Sequence, residues 1–270
     1  MKKILVPTDF SKAAFNALEY AVNIAKKLDA EIILLNAYAV PNSSVMIDLT
    51  DVLKKDSLNG LEEIKNKISA LHPEVKIETI DYNGDLMSSV RFCAAKNEIH
   101  LVVMGTTGAT GLKETFIGSN TATLIQEINI PLIAIPKGAK LGEKLNIGVS
   151  TDLKNLKNIN VFEKVKDLAK AYDGEFHLIN VSEDLSKVNP TEFVEHAADV
   201  EDIFSGFKHS FKFLENTDFE SEILDYIDEN NLNMLVVISR KRNFFERLFH
   251  KSISRKLAMH SPVPIVILSE

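Results

Sequence analysis

Residues Met104 to Thr123, MGTTGATGLKETFIGSNTAT, carry the pattern in this chain that most resembles a site for chemistry. Gly105, Gly108 and Gly111 share one stretch, and Gly118 stands directly before Ser119, Asn120 and Thr121. Residues without a Cβ let successive backbone N–H groups come close to an anion. A helix beginning near Ser119 adds free N–H groups and the positive end of its dipole. Ser119 and Thr121 add hydroxyl donors. The combination suits a polyphosphate. The glycines alone are equally compatible with a tight structural turn. GTTGATG lacks the lysine–serine pair of the Walker loop and the early GxG of the Rossmann fingerprint.

Asp9, in ILVPTDFS at Ile4–Ser11, has the wrong charge for direct contact with a phosphate. It is better suited to accept hydrogen bonds from a base or ribose, or to hold a phosphate-bound cation. No GxSxG, HExxH or CxxC occurs, and nothing near Ser119 would activate it as a nucleophile, so no catalytic residue is assigned. The seven histidines (His72, His100, His177, His196, His209, His250 and His260) form no close pair at metal-ligand spacing, and no protein metal site is assigned.

The elements that must position these residues alternate along the chain. Strands are expected at Lys3–Pro7, Glu31–Tyr38, Val75–Ile80, His100–Met104 and Pro131–Ile135. Helices are expected near Ser11–Leu28, Asp48–Leu71, Asp85–Asn97 and Ser119–Ile128. In the first helix Ala14, Leu18, Ala21, Val22 and Ala25 share one face, and Ser11 is placed to cap it. Continuous apolar strands separated by helices predict a parallel sheet covered on both faces. Ligands of such sheets bind beyond the carboxyl ends of the strands, which would bring Thr8-Asp9 and Gly105–Gly108 together.

The chain reads as two copies of one unit. Lys2–Tyr38 and Lys144–Asp184 each give an apolar strand, Thr-Asp, a long amphipathic helix and a second apolar strand containing Asn. Asp9 matches Asp152, and Asn36 matches Asn180. Later, IHLVVMG matches LNMLVVIS, and INIPLIAIP matches SPVPIVILS. The boundary falls in Pro136–Lys144, rich in Lys and Gly and without apolar period, giving domains over 1–137 and 144–270.

Bulk properties narrow the classes. The chain has 270 residues, 45% of them hydrophobic, enough for a sizeable core. No apolar run approaches the roughly 20 residues of a membrane helix. The apolar run after the first lysines stops at Pro7-Thr8-Asp9 and reads as a first strand rather than a signal peptide. A net charge of −7 argues against non-specific coating of nucleic acid. The single cysteine, Cys93, excludes an internal disulfide and is expected as a small core residue. A cytoplasmic location is expected.

Gly105, two residues, Gly108, nine residues, then Gly118-Ser119 resembles the nucleotide-binding signature of the universal stress protein family, and ILVPTDFS resembles that family's opening strand. The resemblance covers the whole chain as two tandem copies. It implies a five-stranded parallel α/β fold in each copy, helices on both faces, and adenine-nucleotide binding where the motif is kept. Carried over by position, Asp9 and the backbone around Ala37 would face the base, and Pro7 would shape the turn. Met104 and Gly105 would line base and ribose, and Gly108, Gly118, Ser119, Asn120 and Thr121 would hold ribose and phosphates. Thr107 departs from a histidine frequent in ATP-binding members, which bears on affinity. Pairing through last strands, PLIAI with VPIVI, would give an intramolecular pseudo-dimer, with further homodimerisation open.

The second copy has lost the loop. Arg240–Arg242 replace it, Lys251 replaces Gly118, and the stretch is one residue shorter, so side chains would block the approach phosphates need. The resulting expectation is an ATP-binding module or switch, with Mg²⁺ carried by the nucleotide, one live site and a protein partner. Two alternatives stay open: a slow ATPase or adenylyl-transfer enzyme, for which Lys113 is the nearby cation, and a nucleotide-free scaffold. Arg240, Lys241, Arg242, Arg247, Lys251, Arg255 and Lys256 form a basic cluster interleaved with Phe244, Phe245 and Phe249. This fits a surface for an anion, a nucleic acid or an acidic partner, or a solvated loop and helix face. Val188–Phe207 reads as an acidic amphipathic helix, or as a partner or lipid groove.

Overall fold

The computed structural model describes residues 2–39, 46–106, 127–150, 160–182, 200–239 and 261–269, with positions 121, 123, 124 and 198. The chain divides into two compact units, Met1–Lys140 and Leu141–Glu270. In the first unit, strands β1 (Lys2–Pro7), β2 (Ala30–Tyr38), β3 (Ile77–Asn83), β4 (Ile99–Gly105) and β5 (Leu132–Ile135) alternate with helices α1 (Lys12–Leu28), α2 (Met46–Leu71) and α3 (Leu86–Lys96). The strands lie in the order β3-β2-β1-β4-β5, and every pair is parallel.

The strands follow from their composition. Ile32, Ile33, Leu34 and Leu35 in β2 are all fully buried, as are Leu5 and Val6 in β1 and Val102 and Val103 in β4. An apolar run with no alternation must be covered on both faces, as helices on a parallel sheet cover it. Each such side chain contributes about 1.5–3 kcal/mol by leaving water. Helix α1 packs on β4, β2 and β1. Its face of Ala14, Leu18, Ala21, Val22 and Ala25 is buried. Ser11 caps its N-terminus by accepting from the Ala14 N–H, and Asp29 ends it in the left-handed region at φ 49°.

Strand β3 runs past the expected end at Ile80 to Asn83, and starts at Ile77 rather than Val75. Asp81-Tyr82-Asn83-Gly84 reads locally as a turn. As an edge strand, however, β3 pairs only with β2 and stays half-exposed, so polar residues are tolerated there.

The second unit repeats the plan. Strands β6 (Asn146–Ser150), β7 (Glu175–Ser182), β8 (His209–Glu215), β9 (Met234–Ser239) and β10 (Ile265–Ser269) lie in the order β8-β7-β6-β9-β10, again parallel. Helices α4 (Asn160–Ala171) and α5 (Phe219–Glu229) belong to it. Its core is more aromatic: the Phe204 ring meets Phe162 at 5.3 Å and Phe176 at 4.7 Å between centroids. Among the described residues no helix is long and apolar enough to cross a membrane.

Candidate functional site

In the first unit β1 has β2 on one side and β4 on the other, so chain order reverses direction across β1 and β4. Loops diverge at such a point and leave a crevice beyond the carboxyl ends of the strands. Three stretches reach that edge: Pro7–Ser11 after β1, Asn36–Tyr38 at the end of β2, and Met104–Thr106 at the end of β4.

The turn after β1 is built from short side chains that capture their own backbone. The Thr8 hydroxyl accepts from the Phe10 N–H at 3.0 Å, and the Asp9 carboxylate accepts from the Ser11 N–H at 3.0 Å. These nested turns carry Phe10 into the left-handed region at φ 62°. For a non-glycine residue that conformation costs roughly 1–2 kcal/mol. From outside the turn, Thr8 donates its N–H to the Leu35 carbonyl, and the Asn36 amide donates to the Thr8 carbonyl, both at 2.8 Å. Asp9 itself is exposed. The Phe10 ring leaves the turn and lies over Gly60 in α2, so closely that a Cβ at Gly60 would sit 2.8 Å from the ring.

On β2, Ala37 is half-buried, and its neighbour Tyr38 donates its hydroxyl to Asp81 on β3 at 3.3 Å. Burial, then the Asp81 charge and hydrogen bond, raise the Tyr38 phenol above its ordinary value. On β4, Met104 is buried, and Gly105 lies flush against the first turn of α1. A Cβ at Gly105 would fall 3.0 Å from the Ala13 carbonyl oxygen and 3.1 Å from its carbon. Thr106 is tied to β5 by its N–H to the Ile135 carbonyl at 3.0 Å. Thr121, helical and 2% exposed, donates its hydroxyl to the Gly105 carbonyl at 3.3 Å. The donor that the sequence offers to a phosphate is therefore engaged with the backbone here.

Of the residues singled out from the sequence, Pro7, Asp9, Ala37, Met104 and Gly105 lie at this one edge, with Thr121 bonded to it. Gly108, Gly118, Ser119, Asn120 and Lys113 lie outside the described residues, as do Asp152 and the basic cluster from Arg240 to Lys256. Among the described residues no group of three or more His, Cys, Asp or Glu is placed to hold a metal ion. Sequence reasoning did not assign Asn36, Phe10 or Gly60 to the site. The match of Asn36 with Asn180 was the visible hint for the first. A glycine inside an amphipathic helix was the hint for the last.

The arrangement defines a doubled doubly-wound α/β protein, each unit carrying its own strand-end edge. The chain belongs to the universal stress protein family, which residues 1–136 and 145–269 both match. A universal stress protein of Methanocaldococcus jannaschii is 32% identical over 145 residues, covering 52% of this chain and 84% of that protein. Universal stress protein YxiE of Bacillus subtilis is 31% identical, covering 49% of this chain and 97% of that one. The crystal structure of a universal stress protein from Archaeoglobus fulgidus shares the fold across 99% of this chain and 98% of its own, with a TM-score of 0.78 at 24% identity.

Proposed function

We propose that the first unit binds ATP, with magnesium carried on its phosphates, and that the protein acts as a nucleotide-dependent binding module or switch in a stress response. The observation that carries this reading is Gly105 lying flush on Ala13. A glycine there brings the root of the glycine-rich stretch against the first turn of α1, next to the Asp9 turn. Phosphates would enter where Cβ atoms are missing, at Gly108 and Gly118, beside Ser119 and Asn120. Asp9, Ala37, Met104 and Gly105 would line the base and ribose, with Pro7 shaping the turn. Asp9 is exposed and would accept from ribose hydroxyls or meet the phosphate-bound cation. The second unit, with Arg240–Arg242 and Lys251 in place of the glycines, would be a structural or regulatory partner without a phosphate site.

A thermal shift with ATP and Mg²⁺, on wild type and on Gly118→Arg, tests the reading. A ligand at 100 times its Kd that binds only the native state stabilises by about 2.7 kcal/mol. A rise of a few degrees in wild type that vanishes in Gly118→Arg supports the proposal. Absence of any shift in wild type overturns it and favours a nucleotide-free scaffold. Steady phosphate release abolished by Lys113→Ala would move the protein to the enzyme class.

A further inference from the structure

Phe10 is an exposed aromatic residue in a left-handed conformation, 41% accessible and directly following Asp9. Its ring is seated on Gly60, an interior position of the 26-residue helix α2. Both residues are locally unfavourable. Glycine weakens a helix interior, and a phenylalanine at positive φ strains its turn. Their contact gives both a common purpose: the missing Cβ at Gly60 makes the seat for the ring. Asp9 moves with Phe10, because two overlapping captures share both residues: the Thr8 hydroxyl holds the Phe10 N–H, and the Asp9 carboxylate holds the Ser11 N–H.

We propose that Phe10 is a positioning residue for the nucleotide: its ring, docked on Gly60, fixes the Asp9 turn at the crevice and makes helix α2 a lever on ligand affinity. This rests on ATP binding by the first unit. Substitutions at Gly60, on a different element from any residue assigned to the ligand, then change affinity through the ring alone. The direction is distinctive. Alanine at Gly60 improves the helix while its Cβ, 2.8 Å from the far edge of the ring, pushes the ring away. Stability and affinity should therefore move in opposite senses, which simple damage to the fold does not produce.

The experiment measures ATP-Mg²⁺ affinity by calorimetry, and the melting temperature without ligand, for wild type, Gly60→Ala, Phe10→Ala, Phe10→Tyr and the double variant Phe10→Ala/Gly60→Ala. Gly60→Ala is expected to melt a few degrees higher than wild type yet bind about fivefold to tenfold more weakly. Phe10→Tyr, which keeps the ring, should bind as wild type does. The double variant should be no weaker than Phe10→Ala alone, because the alanine at position 60 then has no ring to displace. Wild-type binding with Gly60→Ala and Phe10→Ala both within twofold of it overturns this inference and leaves ATP binding standing. No binding by wild type overturns both.

Discussion

The side-chain amide of Asn36, at the end of β2, donates to the backbone carbonyl of Thr8, beyond the end of β1, at 2.8 Å. Both residues are buried, each 7% exposed. The bond fastens the turn that carries Asp9 to the neighbouring strand, where the parallel ladder has just made its last contact from Thr8 N–H to Leu35. The same residue types recur in the second unit as Thr151-Asp152 and Asn180. In the first unit the bond serves the turn itself, whatever the turn goes on to hold.

Asn36→Ala removes that donor and leaves a buried carbonyl short of a partner. The expected loss is about 1–3 kcal/mol of unfolding free energy. Urea titration should show a lower midpoint with an unchanged slope. Asn36→Asp should be worse at neutral pH, since a carboxylate cannot donate to a carbonyl. A loss below about 0.5 kcal/mol in both variants would show that the turn holds without the amide.

Gly105→Ala places a Cβ 3.0 Å from the Ala13 carbonyl oxygen, and backbone in the first turn of α1 cannot swing aside as a side-chain end can. Overpacking of this kind costs typically about 1–3 kcal/mol. Chemical denaturation should show a loss in that range, and ATP-Mg²⁺ stabilisation should shrink in the same variant. An alanine variant as stable as wild type would mean that α1 yields at its N-terminus.

Cys93 is fully buried in α3, and burial pushes its thiol up to about 11 from the 9.0 of an accessible cysteine. Tyr172, 5% exposed, is pushed by burial up to about 12 from 10.0. The sign follows from proton binding. Above pH 9 the unfolded thiol ionises while the folded one stays protonated, so the unfolded state binds fewer protons and stability falls with rising pH. Between pH 9 and 11 the Cys93 contribution to this fall approaches about 1.4 kcal/mol per pH unit. Cys93→Ala should flatten the stability profile over that window, measured by urea midpoints at successive pH values. In the native protein at pH 8 the thiol should resist a disulfide reagent until urea unfolds the first unit. Fast labelling without urea would contradict the buried placement.

Local rules made much of this fold readable. The cap at Ser11, the apolar face of α1 and the unbroken apolar strands are properties of neighbouring residues, and the structure keeps them. Features that depend on residues far apart were not readable. The Asn36–Thr8 bond spans 28 positions. The left-handed Phe10 is hidden because phenylalanine rarely adopts that conformation by itself; two side-chain captures force it. The end of β3 was missed because Asp81–Gly84 has turn composition, while the ladder with Tyr38 and its neighbours overrides it. At the site, residue types raised the expectation of an anion-binding loop, most of which lies outside the described residues. Which side chains hold its frame in place depended on packing between elements.

Ser57 lies in α2 one turn before Gly60, on the buried face with Leu61 and Ile68. It is 2% exposed, and among the described residues its hydroxyl has no hydrogen-bond partner. A buried hydroxyl without a partner has given up water for nothing in return. Ser57→Ala deletes that oxygen, improves helix propensity by a few tenths of a kcal/mol, and leaves a gap of only one small atom. The expected outcome is a protein as stable as wild type or more stable by about 1 kcal/mol. Its melting temperature should be unchanged or higher by up to a few degrees. A clear destabilisation, above about 1 kcal/mol in a urea titration, would show that the hydroxyl has a partner in solution. The α2 face beside the Phe10 seat would then have to be read as a polar wall rather than core.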